Sequence, residues 1–140
     1  ACFVTTPGHP NQVAGGKKPY HTIIPAFLTR DGQPLMAFGV MGGHMQPQGH
    51  LQMVVRCFTY DQNPQAASDA PRWQCTPEGK LMLERGFDPG VAAELARRGH
   101  DLTTDAHEIN FGGAQLILKN ADAGYIAASD HRKDGLAIGF

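Results

Sequence analysis

Hydrophobic residues fall in short runs along most of the chain, and their spacing changes from strand-like to helix-like and back. Two apolar runs, Thr22–Arg30 and Pro34–Val40, flank the pair Asp31-Gly32. Asp-Gly between runs of this type is a strong signal for a β-hairpin. Because both runs are apolar at almost every position, we expect both faces of this hairpin to be covered. Pro25 in the first run predicts a bulge or an edge position there.

A helix is predicted from about Pro47, where the apolar residues take up a helical spacing. Leu51, Val54, Val55 and Phe58 recur at i, i+3, i+4 and i+7, which is one face of an amphipathic helix. Proline is tolerated in the first turn of a helix because its missing N–H has no partner there. We therefore expect this helix to pack on the core through those four side chains.

The remaining predicted elements are short: two capped helices and two pairs of strands. One helix covers Gln65–Asp69 after an Asn63 cap, and the other runs from an Asp88 cap to Arg98, before Gly99. The strands are Arg72–Cys75, Leu81–Glu84, Ala114–Lys119 and Tyr125–Ser129, the last two forming a hairpin around residues 120–124. The order β-β-α-α-β-β-α-β-β predicts an α+β fold with its sheet and helices in layers.

Composition narrows the classes of protein. The 140 residues include 12 Lys and Arg and 13 Asp and Glu, a net charge of -1, and 41% are hydrophobic. This length and hydrophobic content indicate one globular domain with a core. A nearly neutral chain lacks the basic excess that nucleic-acid binding needs, and no apolar run is long enough to span a membrane. Residues 1–19 form an irregular lead-in, with a short strand predicted at Cys2–Thr5.

The cysteines and histidines do not form a recognisable metal or disulfide pattern. Cys2, Cys57 and Cys75 are odd in number and lack a C-x-x-C spacing, so ordinary thiols are expected. His44 and His50 are six positions apart, whereas a helical pair of ligands needs a separation of three or four. We therefore expect loop histidines and no metal site.

Gly42 and Gly43 are the first candidate for chemistry, because they lie where a strand gives way to a helix. Paired glycines at such a junction can present free backbone N–H groups to an anion or an oxyanion. The alternative is a tight turn that only requires positive φ angles. The spacing by itself favours the turn.

Two other clusters contain possible nucleophiles. Ser129, Asp130 and His131 are adjacent in sequence, whereas the members of a catalytic triad converge from different elements. A turn held by Asp130 and Arg132 is the better interpretation. Threonine is an effective nucleophile as a first residue, where its own α-amine is the base, so Thr5 and its neighbour Thr6 are expected to be loop residues. The residues alone therefore predict an α+β domain and no particular reaction.

Four longer segments, taken together and in order, resemble the γ-glutamyltranspeptidase-like proteins. They resemble that family's segment before the central hairpin, its Gly-Gly loop with the following helix, its D-A-P-R step and its C-terminal S-D-P-R-x-D-G. In this chain the segments are Gly16–Ala26, Phe38–His50, Ala67–Trp73 and Ala128–Gly135. The resemblance runs from about residue 16 to the end, with His131 standing where the family usually has proline.

The resemblance implies an N-terminal-nucleophile hydrolase with a four-layer α-β-β-α sandwich of mainly antiparallel sheets. In such enzymes a precursor cuts itself into a large and a small subunit, and the new N-terminal threonine attacks an amide carbonyl. The resulting acyl-enzyme is resolved by water or by an acceptor amine. Residues 1–140 would then be the C-terminal portion of the small subunit, and thus only part of a domain. Its partners would be the large subunit and the rest of the small subunit, with no metal or organic cofactor.

The resemblance also assigns site residues. Gly42 and Gly43 correspond to the family's oxyanion hole, and His21 and Thr22 to two serines that hold the substrate α-carboxylate. A hydroxyl survives only at Thr22, while His21 would fill the wall of the cleft. The implied function is cleavage or transfer of the acyl group of γ-glutamyl amides such as glutathione. The alternatives are an acylase for other amides, since the change at His21 fits that group equally well, and a non-catalytic binding module with the same fold.

The family's catalytic threonine has no match in these residues. Thr5 and Thr6 lack its sequence context, and Ala1 is therefore not expected to be the self-cleavage terminus. The chain by itself is expected to be inactive, with the nucleophile supplied by a segment upstream. Because a sheet cut from a larger one exposes unpaired edges, self-association or retention of the missing segments is also expected.

Overall fold

Two sheets and three α-helices make up the part of the chain that the computed structural model describes, residues 3–120 and 124–139. The strands are β1 (Ala26–Arg30), β2 (Gln33–Met41), β3 (Trp73–Cys75), β4 (Leu81–Glu84), β5 (Leu102–Ala106), β6 (Gly113–Lys119) and β7 (Tyr125–Ser129). The helices are α1 (Met45–Phe58), α2 (Pro64–Asp69) and α3 (Pro89–Arg97), with a short 3₁₀-helix at Glu108–Phe111. The expectations for Ala1, for Cys2 and for the tip of the second hairpin lie outside the described residues.

The architecture is α+β with mostly antiparallel sheets, as predicted. The larger sheet has the order β1-β2-β6-β7, with every neighbouring pair antiparallel. In the smaller sheet, β3-β4-β5, the pair β4 and β5 is parallel. Strand β5 was not predicted, because its sequence LTTDA has no alternation of apolar and polar residues. In the lead-in, Val4 forms an isolated bridge with Gln12 in place of a strand.

The first hairpin is confirmed. Asp31 and Gly32 have φ angles of 51° and 74°, as the favoured two-residue hairpin turn requires. β1 is an edge strand, and its irregularity lies between Leu28 and Thr29, whereas Pro25 precedes the strand. One face of this sheet packs on the core, whereas Phe27 and Ile117 on the other face are 61% and 50% exposed, so the described residues do not cover both faces as expected.

Helix α1 lies on the covered face of the larger sheet, and only two of the four predicted side chains, Val54 and Phe58, pack against the core. The helix begins at Met45, and the apolar part of its buried side is formed by Met45, Gly49, Met53 and Cys57. Leu51, expected in the core, is 53% exposed. Val54, Val55 and Phe58 are only half-buried. The predicted face was therefore right only in part: Val54 and Phe58 pack against the edge of the core, whereas Leu51 does not, because Gly49 lets a different side of the helix approach the sheet most closely.

Gly49 is the point of closest approach between α1 and β2. A Cβ atom at this position would lie 2.5 Å from a methyl carbon of Val40. Real Cβ atoms do not approach other carbons so closely, so the helix sits against the strand only because residue 49 has no side chain.

Replacing Gly49 by alanine is expected to destabilise the fold by about 1–3 kcal/mol, because overpacking outweighs the better helix propensity of alanine. Denaturant titration of wild type and variant measures the effect. Gly39→Ala is the matched control, since a Cβ on Gly39 would meet nothing within 4 Å. An unchanged midpoint for Gly49→Ala would contradict this account of the packing.

The predicted helix caps are confirmed. The side chain of Asn63 accepts a hydrogen bond from the N–H of Gln65, and that of Asp88 accepts one from Val91 at 2.9 Å. Gly99 follows α3 with a φ of +95°.

Among the described residues, no helix has the length and apolar character needed to cross a bilayer.

A buried network of two arginines and two carboxylates joins the two sheets. Asp130, which follows β7, accepts hydrogen bonds from Arg72 at 2.5 Å and from the N–H of Ala114 at 2.6 Å. Arg132 makes a two-pronged pair with Glu84 at the end of β4, with both distances 2.6 Å. The predicted turn held by Asp130 and Arg132 is confirmed, and Arg132 also reaches Asp130 Oδ1 at 3.2 Å.

The electrostatics of this network favour the charged forms of Asp130 and Arg132, whereas burial and the nearby Arg132 charge lower the pKa of Arg72. Burial disfavours the Asp130 carboxylate, but the Ala114 N–H and the Arg72 guanidinium outweigh it, so the pKa of Asp130 lies below its usual value. Burial likewise opposes the charge on Arg132, yet its bonds to Glu84 raise the pKa of Arg132. Arg72 and Asp130 are fully buried and form the shorter of the two ion pairs that Asp130 makes, the other being with Arg132.

Candidate functional site

The turn between β2 and α1 is formed by Gly42 and Gly43. Their φ angles are 133° and 59°, values that favour glycine. The carbonyls of the two glycines accept hydrogen bonds from the N–H groups of Met45 and Gln46, at 3.0 and 3.2 Å. Gly112 lies directly behind, so that a Cβ on Gly42 would approach its Cα to 3.1 Å. The turn is therefore constrained both by the start of the helix and by a third glycine, Gly112, packed against Gly42.

The N–H groups of the two glycines have no hydrogen-bond acceptor in the described structure, residues 3–120 and 124–139. Backbone donors left over in a glycine turn can stabilise negative charge on an oxygen. The sequence left two alternatives for Gly42-Gly43, an anion-binding nest and a tight turn with positive φ angles. The two are compatible, because the backbone of this tight turn leaves both N–H groups without an acceptor in the described structure.

A groove of about 680 Å³ runs along this turn. Its wall consists of residues 22–25, the end of β2, the two glycines, Gln46, Gly113 and Gln115. No charged side chain occurs among these described lining residues. Of the two predicted substrate-binding residues, Thr22 lines the groove next to the glycines, whereas His21 is exposed and outside the lining.

Gln46 is a residue of this site that the sequence did not reveal. Its side chain is buried, and it connects the extended segment before β1 to the glycine turn. The amide oxygen accepts from the N–H of Ile24 at 3.1 Å, and the amide nitrogen donates to the carbonyl of Thr22 at 2.7 Å. The only sequence signal was a polar residue within the first turn of a helix, which is normally solvent-exposed.

The other sequence candidates lie away from the groove or serve the fold. His50 stacks edge-on against Phe38, with the ring centres 5.2 Å apart, and burial lowers the pKa of His50. His131 contacts Asp69 at 3.1 Å. Thr5 and Thr6 are exposed in the lead-in. In the described part of the chain, no three His, Cys, Asp or Glu side chains cluster in a way that could hold a metal ion.

Known proteins resemble this chain over its whole length. The chain is 28% identical to the glutathione hydrolase-like YwrD proenzyme of Bacillus subtilis, over 98% of this chain and 27% of that protein. It is 31% identical to the oxamate amidohydrolase proenzyme of Klebsiella pneumoniae, over 100% of this chain and 28% of that protein. The chain thus spans roughly a quarter of the length of these relatives.

A solved structure extends the likeness to the fold. The cephalosporin acylase from Bacillus halodurans is 45% identical and superposes with a TM-score of 0.79, over 96% of this chain and 25% of that one. The family model of gamma-glutamyltranspeptidase matches residues 1–140. The chain therefore belongs to the gamma-glutamyltranspeptidase family.

Proposed function

We propose that this chain is the C-terminal portion of the small subunit of an amide-cleaving hydrolase or acyltransferase. Gly42 and Gly43 supply its oxyanion hole, and Thr22 contacts the acyl part of the substrate. The observation that carries the proposal is the glycine turn, whose two N–H groups lack acceptors among the described residues and which borders a groove of about 680 Å³. Relatives that are proenzymes about four times as long support the view that the rest of the enzyme lies in other segments.

The chemistry follows from the charge that develops on the substrate. The hydroxyl of an upstream N-terminal threonine attacks the amide carbonyl carbon, and the α-amine of that threonine takes the hydroxyl proton. The carbonyl oxygen becomes negative in the tetrahedral intermediate, and the glycine N–H groups stabilise it. One such donor contributes about 3 kcal/mol to transition-state stabilisation. As the C–N bond breaks, the leaving amine takes up the proton held by the threonine α-amine, and water or an acceptor amine then attacks the ester to release the acyl group and regenerate the threonine hydroxyl.

The uncovered face of the larger sheet supports the proposal of missing segments. Phe27, Ala37, Ile117 and Ala127 lie directly opposite one another across β1, β2, β6 and β7, and so share that face. Phe27 is 61% exposed and Ile117 50%. A row of apolar side chains across a sheet is usually covered by another layer. We propose that the large subunit and the remaining small-subunit residues provide it and complete the four-layer sandwich.

The acyl donor is the finer part of the proposal. The family resemblance favours γ-glutamyl compounds such as glutathione. A second candidate is an acylase for other amides; the described lining residues carry no charged side chain, so any charged partner for the amine and carboxylate of a γ-glutamyl group would come from other segments. The identity of 45% with a cephalosporin acylase favours this second candidate.

The test uses the full-length gene product and two matched anilides. Cleavage of γ-glutamyl-4-nitroanilide is compared with that of pentanoyl-4-nitroanilide, which has the same acyl length without the charges. Preference for the first supports a γ-glutamyl enzyme, and preference for the second an acylase. Intact mass and N-terminal sequencing should show self-cleavage before a threonine. Loss of both activities together with an unprocessed chain would favour a non-catalytic module, and amide cleavage by the 140-residue chain alone would refute the proposal of an upstream nucleophile.

A further inference from the structure

Gln46 connects the segment that carries Thr22 to the glycine turn, and its side chain is only 7% exposed. We propose that Gln46 is a positioning residue that sets the place of Thr22 relative to Gly43 and thereby controls substrate affinity. The proposal deepens the proposed function and rests on it. Gln46 itself need not touch the reacting atoms.

The side-chain amide of Gln46 makes three hydrogen bonds, all to main-chain groups. Its oxygen accepts from Ile24 N–H at 3.1 Å, and its nitrogen donates to the Thr22 carbonyl at 2.7 Å and to the Gly43 carbonyl at 3.2 Å. The amide therefore pairs with the extended segment as a neighbouring strand would. A primary amide offers a donor and an acceptor side by side at neutral pH, and asparagine, the other residue with this group, is one carbon shorter than glutamine.

Little else holds this segment in the described structure. Between residues 18 and 25, the bonds to Gln46 are the only hydrogen bonds among the described residues, since β1 begins at Ala26. The glycine turn, in contrast, keeps its main-chain bonds to Met45 and Gln46 whatever the side chain at position 46. Removal of the Gln46 amide should therefore release Thr22 while leaving the oxyanion donors in place.

Helix α1 contains a matched control for this contact. Gln52 is also buried, and its amide pairs in the same manner with β3, accepting from Trp73 N–H at 3.1 Å and donating to the Trp73 carbonyl at 2.9 Å. Trp73 does not line the groove beside the glycines. Substitution of Gln52 thus removes an equivalent pair of buried hydrogen bonds without touching the proposed site.

The experiment compares Gln46→Met and Gln52→Met in the processed full-length enzyme. Methionine is of similar length and cannot form these bonds. For Gln46→Met we expect KM for the better anilide to rise at least fivefold, with kcat reduced no more than threefold. For Gln52→Met we expect KM within twofold of wild type. A smaller rise in KM for Gln46→Met, or an equal rise in both variants, would overturn the proposal.

A conservative variant separates hydrogen bonding from packing. Ionised glutamate at position 46 accepts from Ile24 N–H but cannot donate to the Thr22 carbonyl, and protonation restores one donor. The hydrogen-bond partners of Gln46 in the described residues are all main-chain groups, so no neighbouring ionisable side chain competes through these bonds. We expect the ratio of KM between Gln46→Glu and wild type to fall as the pH is lowered from about 8 to 5. A ratio that stays constant would contradict the role of the donor.

Proteolysis tests the same contact without relying on activity. Tyr20 is 65% exposed and lies just before Thr22 and Ile24, the residues that Gln46 holds, so chymotrypsin can cleave after Tyr20 when these residues move. Cleavage at Tyr20, followed by mass spectrometry of the fragments, should be at least fivefold faster in Gln46→Met than in Gln52→Met. Faster cleavage in an enzyme without amidase activity would refute the proposed function but retain the structural role. Equal cleavage in an active enzyme with unchanged KM would refute the positioning role alone.

Discussion

Replacing Gly43 by valine is expected to lower kcat of the full-length enzyme about 100- to 1000-fold, with a much smaller change in KM. Gly43 has a φ of 59°, which β-branched residues strongly disfavour. Space is not the limitation, because a Cβ at this position would meet nothing within 4 Å. The backbone would rotate instead, and the N–H groups proposed to stabilise the oxyanion would turn away. Since these donors act mainly on the transition state, turnover should suffer more than substrate binding.

The matched control for this prediction is Gly79→Val. Gly79 has a φ of 84°, also with no atom within 4 Å of an added Cβ, and it lies in the turn between β3 and β4. Valine at Gly79 imposes comparable backbone strain outside the groove, so kcat should stay within about twofold of wild type. If Gly43→Val folded with an unchanged kcat, the oxyanion role of this turn would be wrong. Steady-state kinetics on the better 4-nitroanilide, with thermal unfolding to verify folding, provides the measurement.

Elements marked by local chemistry were predictable from the sequence. The hairpin at Asp31-Gly32 and the caps at Asn63 and Asp88 depend on contacts within four residues along the chain, and all three are confirmed. β5 was missed because its five residues LTTDA have no recognisable period and pair with β4 across the intervening helix α3. Its conformation is set by that distant partner.

The buried face of α1 shows a different limit. Hydrophobic spacing favoured Leu51, Val54, Val55 and Phe58, yet the helix is turned so that Gly49 meets the sheet. A pattern of side-chain hydrophobicity gives no weight to glycine, although glycine allows the closest backbone approach. The hydrophobic pattern of the strands also could not show that the described residues leave one face of the larger sheet open. An apolar strand face has the same pattern whether it is covered by this chain or by another chain.

The candidate site was predictable only in part. Gly42 and Gly43 stood out as a possible anion nest, and their assignment as an oxyanion hole is a prediction from the family resemblance. Gln46 escaped attention because its partners are main-chain groups more than 20 residues away. Outside the site, the role of Glu84 in the buried ion-pair network was missed too, because its partner Arg132 is 48 positions away along the chain. Side chains that bridge distant segments leave no periodic trace in a single sequence.

Replacing Asp130 by asparagine is expected to destabilise the protein by about 3–5 kcal/mol, the usual cost of removing one member of a buried ion pair. Asp130 is fully buried and receives hydrogen bonds from Arg72, from Ala114 N–H and from Arg132 N–H. An asparagine amide offers only one acceptor oxygen, so at least one of these donors would face an NH₂ group. Arg72 would in addition keep a buried charge without its closest counter-ion.

Glu94→Gln is the control for this prediction. Glu94 pairs with Arg97 and Arg98 on the exposed side of α3, where solvent screens the interaction. The thermal midpoint of Glu94→Gln should match that of wild type within error, whereas the midpoint of Asp130→Asn should fall clearly. Adding Arg72→Met to Asp130→Asn should cost less than the sum of the two single changes, because the orphaned charge is removed with it. Additive losses would mean that Arg72 and Asp130 do not stabilise each other.

Acid pH gives a second measurement of the same interaction. The pKa of Asp130 is lowered in the folded protein, so its stabilisation is present above the usual aspartate value, about 4, and is lost as the pH falls through the lowered folded value. Asparagine cannot lose a charge, so this part of the acid sensitivity should be missing in Asp130→Asn. The difference in unfolding free energy between wild type and variant should therefore shrink as the pH drops below about 4. A difference that stays constant over that range would show that Asp130 contributes through packing and neutral hydrogen bonds, and that its charge does not hold the two sheets together.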